Sequence, residues 1–392
     1  MFGVLGGGSV FSVVNVFVKI AKINVSYYNS RMIKETNLLK LSNIKMKSSR
    51  LKKIIFENKN ILGEEEFIGV LINKKKIREE EVLKANKPFL FNKQLCVLRE
   101  EKVRMLTMLD KDYPKNLKNL GDAPPILYCK GEILPEDSNA VAIVGTRMAT
   151  EYGKNVARTL GGKLSELGIT VVSGMAMGID TQAHIGALSY TGRTLAVMGT
   201  GIDLVYPFSN LNLSKKILEN GCLLTELPPL SPPLPYHFPA RNRIISGLSK
   251  AVVAIEAAER SGVFSTVRWA LEYGRDVYAL PGDINRKVSA GTNKLIKDGA
   301  IPLTSYKDIL ANTRLKIKEA EERDRKVLCA LSETEKIIFK VLELNPKSTD
   351  NLAAETGLDP QTIMTTMALL ELKGLSREVS GKRFIKEEEW LE

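Results

Sequence analysis

The sequence predicts a doubly wound, parallel α/β sheet, preceded by a small helical region and followed by a winged helix. Three observations carry this. Between residues 140 and 282, six short apolar runs recur, and most run straight into a glycine. The runs are apolar at consecutive positions, so both faces of each strand need cover, which a parallel sheet between helix layers supplies. Stretches with helical spacing follow the runs, and strand–helix alternation at this interval is the signature of a doubly wound sheet.

The elements follow in chain order. Residues 1–18 (MFGVLGGGSVFSVVNVFV) are apolar and glycine-rich, but lack the basic leader and small-residue cleavage site of a signal peptide. Composition changes sharply afterwards, so Met32 is the expected native start, with 1–31 not native. Segments LLKLSNIK, SSRLKKIIFE, EEEFIGVLINKK and REEEVLK place apolar residues at helical spacing, which makes 1–107 a basic, mostly helical region. Residues 108–138 carry prolines at 114, 124, 125 and 135 and read as a turn-rich connector. The strand candidates are 140–145, 169–174, 194–199, 222–226, 251–256 and 276–282, within a domain spanning 108–312. Residues 313–331 are highly charged and lack glycine and proline, as a linker or solvated helix would. In 332–392, Ser332 with Glu335 forms a capping box, two further helices join through GLDP, and SREVSGKRFIK reads as a hairpin. Three helices and a β-wing describe a winged helix-turn-helix.

The formal net charge is +12 and unevenly spread. Residues 1–104 hold 21 Lys/Arg against 10 Asp/Glu, while the remaining 36 basic and 35 acidic residues nearly cancel. Two readings of this basic region stay open: a polyanion partner whose phosphates it neutralises, or a lysine-rich solubilising face. Cys96, Cys129, Cys222 and Cys329 form no CxxC pair, which argues against zinc and a disulfide framework and for a reducing cytoplasm. With only two histidines, a His-based metal site is not expected. No apolar run has the length and character of a membrane span.

Ligands of a doubly wound sheet sit beyond the carboxyl ends of its strands, where helix N-termini favour anions. The first loop, Gly145-Thr146-Arg147, is not GxGxxG. An arginine there hinders a dinucleotide but suits a phosphate of a larger ligand, unless it pairs with an acid across the cleft. In the second loop Ser173 can donate to phosphate and Gly174 lets a ligand backbone approach, while Asp180 reads as a helix cap and His184 as a core or helix-surface residue. The third ends in Tyr206-Pro207-Phe208, where Phe208 either stacks on a base or packs under a loop. In the fourth, Arg241 and Arg243 flank Asn242 at an expected helix start, a poor place for cations without an anion. The alternative is an Arg–Glu pair with Glu226 or Glu256. In the fifth, Gly262 lies in a small-residue cradle before a helix. There is no GxSxG, GxxxxGK[ST] or HExxH, so these loops suggest binding rather than turnover.

From about 108 to 312 the chain resembles the DprA/Smf family of DNA-processing proteins. The matching stretches include VAIVGTRMATEYG, VVSGMAMGIDTQAH, GRTLAVMGTGIDLVYP, FPARNRIISGLS and PGDINRKVSAGTNKLIKDGA. The resemblance implies an extended Rossmann fold that binds single-stranded DNA, forms a homodimer, and delivers DNA to a RecA-type recombinase in natural transformation. It further implies that Arg147, Arg241, Asn242 and Arg243 line the DNA pocket, and that Gly145, Thr146, Ser173, Gly174 and Gly262 cradle phosphates. No cofactor, metal or membrane is implied. Two other classes compete. A nucleotide hydrolase of the phosphoribohydrolase type would need a double-glycine run, but SGVFSTVRWALE lacks one and brings Glu272 too late. A winged-helix transcription regulator would have only Gln361, Thr365 and Lys373 with which to read bases.

Overall fold

The structure is a computed structural model that describes residues 32–189, 192–317, 331–342, 347–373, 375–379 and 383–386. The expected start at Met32 bears on 1–31, and most of the charged linker is 318–330; both lie outside the described residues, as does Cys329. Two compact units separate near residue 315.

The larger unit is built on one nine-stranded sheet: β1 (Arg104–Thr107), β2 (Ile126–Gly131), β3 (Ala140–Val144), β4 (Thr170–Ser173), β5 (Thr194–Val197), β6 (Cys222–Thr225), β7 (Ala251–Ala254), β8 (Asp276–Ala279) and β9 (Ile301–Pro302). Spatial order is β1-β2-β6-β5-β4-β3-β7-β8-β9, with β6 through β9 all parallel. Chain order reverses between β3 and β7, which pair Val141 with Ala251, so the switch point lies there. The six expected runs are β3 to β8. The sequence reading missed β1, β2 and β9. Within the proline-rich connector, ILYC forms an antiparallel strand that bridges β1 and β6.

Alternate side chains enter different cores. Leu195 and Val197 join Ile244, Ile245 and Val267 on one face, while Ala196 joins the other. That second core also takes Leu38, Leu41, Ile55, Phe67 and Leu71 from the N-terminal helices, so these helices lie directly on the sheet unit. Ser42 Oγ and Tyr128 Oη are 2.6 Å apart, and Gln94 donates to Pro229 O. Cys129 and Cys222, distant in sequence, meet on neighbouring strands, where burial pushes the Cys129 thiol up.

The smaller unit has helices Glu333–Val341, Thr349–Thr356 and Pro360–Leu372, with strands β10 (Lys347–Ser348), β11 (Ser376–Val379) and β12 (Arg383–Lys386) in the order β10-β12-β11. The expected capping box is present: Ser332 N donates to Glu335 Oε2 at 2.8 Å. Gly357 ends the second helix at φ +71°, the left-handed turn that glycine adopts without strain. Ile338, Leu352, Ile363, Met367 and Phe384 close the core.

Candidate nucleic-acid interface

The loops after β3, β4, β5 and β7 converge at the carboxyl edge, joined there by the start of helix His237–Leu248. At the first loop, a Cβ on Gly145 would sit 2.4 Å from Ile179 Cγ1, so a larger residue would force the buried Ile179 aside. Thr146 N donates to Glu256 O at 2.7 Å, which stitches the β3 loop to β7 across the switch point. Glu256 then reaches on. Its carboxylate accepts from Thr150 N at 2.9 Å and Thr150 Oγ1 at 2.5 Å, at the N-terminus of helix Glu151–Glu166. A Cβ at Gly153 would strike this carboxylate at 2.5 Å. The place where a dinucleotide fold holds pyrophosphate is therefore filled by the protein's own anion. Glu256 is not an arginine partner.

The second loop is also closed on itself. Gly174 N and Ala176 N donate to Asp180 Oδ2 at 3.1 and 3.3 Å; Asp180 lies within helix Ile179–Ser189, so instead of capping the helix it ties down the loop before it. Ser173 was expected to donate to phosphate; instead its fully buried hydroxyl donates to Ile143 O at 2.7 Å. His184 is likewise buried, with Nδ1 2.7 Å from Thr194 Oγ1, and burial pushes its pKa down to about 3.

The arginines of the fourth cluster are likewise engaged by acceptors of the protein itself. The helix starts at His237, four residues before the expected RNR start, because Pro239 falls in the first turn, where backbone N–H groups lack partners anyway. Arg241 and Arg243 thus sit deeper in the helix, and both are buried. Arg241 Nη1 donates to Gly174 O at 2.6 Å and to Val197 O, and its Nε to Asn242 Oδ1. Desolvation lowers its pKa to about 10, partly offset by Asp180, so it stays a cation. Arg243 donates to Asp122 O at 2.6 Å and to Glu226. The Arg–Glu alternative holds for Arg243, and burial raises the Glu226 pKa against the pull of that arginine. Asn242 Nδ2 contacts Gly262 O at 3.4 Å.

Arg147 remains. It is exposed, with its guanidinium 5.3 Å from the Phe238 ring centroid. Arg147, Gly174, Ala176, Met177, Tyr206, Pro207 and Phe238 line an open pocket of about 310 Å³. The Tyr206 and Phe238 rings lie 5.8 Å apart. Beneath the floor, a Cβ on Gly174 would meet Arg241 Nη2 at 2.6 Å, so a buried cation underlies the pocket at one glycine's thickness. Phe208 is 77% exposed and neighbours this lining without joining it. Gly262 is exposed at the start of helix Val263–Glu272 with open space beside it. Sequence reading passed over Phe238, Met177 and Tyr206 as ligand contacts; the available signal was aromatics beside prolines in two loops at one sheet edge. Among the described residues no cluster of acids, histidines or cysteines could hold a metal, and no helix is long and apolar enough to cross a membrane.

The DNA recombination-mediator protein A family matches residues 104–314, and the DprA winged helix domain matches 322–382. The chain belongs to this family. Protein Smf of Synechocystis sp. is 33% identical over 358 residues, covering 82% of this chain and 88% of that protein. DNA processing protein DprA of Streptococcus pneumoniae is 43% identical over 212 residues, covering 54% and 74%. The X-ray structure of DprA from Streptococcus pneumoniae matches with a TM-score of 0.58 and 34% identity, over 71% of this chain and 97% of that one. Membership in the DprA/Smf family agrees with the mostly parallel sheet and with the C-terminal winged helix.

Proposed function

We propose that this protein binds single-stranded DNA at the carboxyl edge of its sheet and hands it to a RecA-type recombinase, as in natural transformation, without making or breaking a covalent bond. The observation that carries this is the Arg147 guanidinium over Phe238, beside Tyr206, above the buried Arg241. A guanidinium takes phosphate, and aromatic faces take unpaired bases; the pair serves a single strand. The lining holds no carboxylate, imidazole or thiol, and its one ionisable hydroxyl, on Tyr206, has no base beside it in the lining to activate it. Glu256 already fills the pyrophosphate position, which disfavours a dinucleotide.

The arginines Arg241 and Arg243 act here from inside. Arg241 fixes the loops and adds positive potential, and Arg243 braces the helix against Glu226. Thr146, Gly145 and Asn242 set loop geometry, while Phe208 and Gly262 extend the rim. The protein works in the cytoplasm as a homodimer that offers two such pockets, so that a strand engaging both gains through effective concentration. Fluorescence anisotropy with labelled single strands across a salt series tests the reading: affinity falls steeply with salt and shows little sequence preference. Salt-independent binding, or none, overturns it.

A further inference from the structure

The N-terminal helices gather cations that do not line the pocket. Among residues 32–104, 18 Lys/Arg stand against 10 Asp/Glu. They are not evenly mixed. Lys47 precedes helix Ser48–Glu57, whose Leu51, Ile54 and Ile55 face the core. Lys47, Arg50 and Lys53, all exposed, recur every third residue along one flank, over about 9 Å of helix axis. Arg50 Nη2 donates to Lys76 O at 2.7 Å, which ties this flank to the turn Lys74-Lys75-Lys76. In that turn Lys75 takes φ +52°, a left-handed backbone that a lysine adopts at a cost. Ile77, 2% exposed, anchors the turn in the core.

One carboxylate serves this surface. Glu57 lies 2.9 Å from Lys76 and 3.7 Å from Lys53, and the Lys76 contact lowers its pKa. Among the described residues, Lys47, Lys74 and Lys75 have no carboxylate within ion-pair distance. Like charges three residues apart on a helix repel one another. The buried residues beneath hold them together regardless, so the surface is a fixed positive field in want of an external anion.

We infer that this surface binds the phosphate backbone of duplex DNA. The helix exposes one aromatic, Phe56, whereas the carboxyl rim exposes Tyr206, Phe208 and Tyr236. Unpaired bases need faces to stack on, and this helix with its neighbouring turn offers only Phe56, Phe89 lying on a different helix. Paired bases need none, and a duplex presents about one phosphate charge per 1.7 Å of axis to a row of lysines. The chain then has distinct surfaces for paired and unpaired DNA.

The test uses the full chain and a labelled blunt duplex of about 30 base pairs, with anisotropy read between about 50 and 200 mM salt. The fourfold variant Lys47→Gln, Lys53→Gln, Lys74→Gln, Lys75→Asn loses at least tenfold in duplex affinity, and its log–log salt slope flattens by about 3 to 4. Its affinity for a single strand of about 8 nucleotides stays within twofold, while Arg147→Ala lowers single-strand affinity and leaves the duplex curve in place. Loss in one arm thus leaves the other reading intact. If the fourfold variant melts below the parent, the pair Lys53→Gln and Lys74→Gln, both exposed and outside the core, is read instead, with a slope change of about 2. Unchanged duplex affinity and slope in a well-folded variant overturns the inference. So does loss of binding to vesicles of phosphatidylcholine and phosphatidylglycerol with the duplex curve unmoved, which would assign the surface to a membrane.

Discussion

Thr150 N donates to Glu256 Oε2 at 2.9 Å, across the switch point of the sheet. This one contact changes what the fold can hold. A helix N-terminus beside a glycine loop attracts phosphate, yet here a carboxylate from the next strand satisfies it. The side chain lies 3% exposed and the ligand pocket opens elsewhere, toward Arg147 and Phe238.

Glu256→Ala strands the Thr150 amide and leaves a gap against Gly153. Stability falls by about 2–3 kcal/mol in urea unfolding. Nicotinamide dinucleotides gain no affinity, because Arg147 still stands in their path.

Arg147→Ala removes the exposed cation of the pocket. Single-strand affinity drops about tenfold, and the salt slope flattens by about 0.7, one phosphate's worth. The thermal midpoint stays put, since the side chain is exposed. Arg147→Lys restores the slope but only part of the affinity, as an ammonium stacks poorly on Phe238.

Arg243→Ala behaves differently. It leaves the half-buried Glu226 without its counter-charge and Asp122 O without its donor, and stability falls by about 2 kcal/mol. Arg243→Ala with Glu226→Gln recovers much of that loss. A double-mutant cycle in urea measures the coupling. If Arg243 touched DNA directly, the second change would leave affinity depressed at restored stability.

His184 makes stability depend on pH. Buried and uncharged, it has a folded pKa of about 3, well below its unfolded value of about 6.5. Between these values the unfolded chain binds the extra proton, so this contribution is full above 6.5 and shrinks as pH falls. By pH 5 the loss reaches about 2 kcal/mol. Asp180 and Glu226, whose pKa values are raised by burial, act in the opposite sense, so the comparison must be with His184→Asn rather than with neutral pH alone. The variant loses less stability on acidification than the parent.

The parallel strands were legible because each had to be apolar on both faces, and AVAIVG or AVVAIE admits few other readings. The strand ILYC was hidden by its surroundings: prolines at 124 and 125 end one turn and lead straight into a pairing with β6 that only the fold reveals. The loop alone singles out Arg147, which the structure leaves exposed over Phe238. Arg241 and Arg243 follow Pro239 and so read as a helix start, whereas the helix begins at His237 and both are engaged by acceptors 67 and 17 positions away. Local pattern says that a guanidinium needs an acceptor. It does not say whether the acceptor is a ligand or the protein.

The helices over Leu38, Ile55 and Phe67 roof one face of the sheet, against Ile126, Tyr128 and Leu223. A fragment trimmed to 104–314 would carry the whole pocket and yet lose that roof. Its bared apolar underside would drive self-association, so solubility and strand binding would appear to fail together for a reason unrelated to DNA. Biochemistry on this protein should therefore begin upstream of Leu38, with the lid of its own core retained.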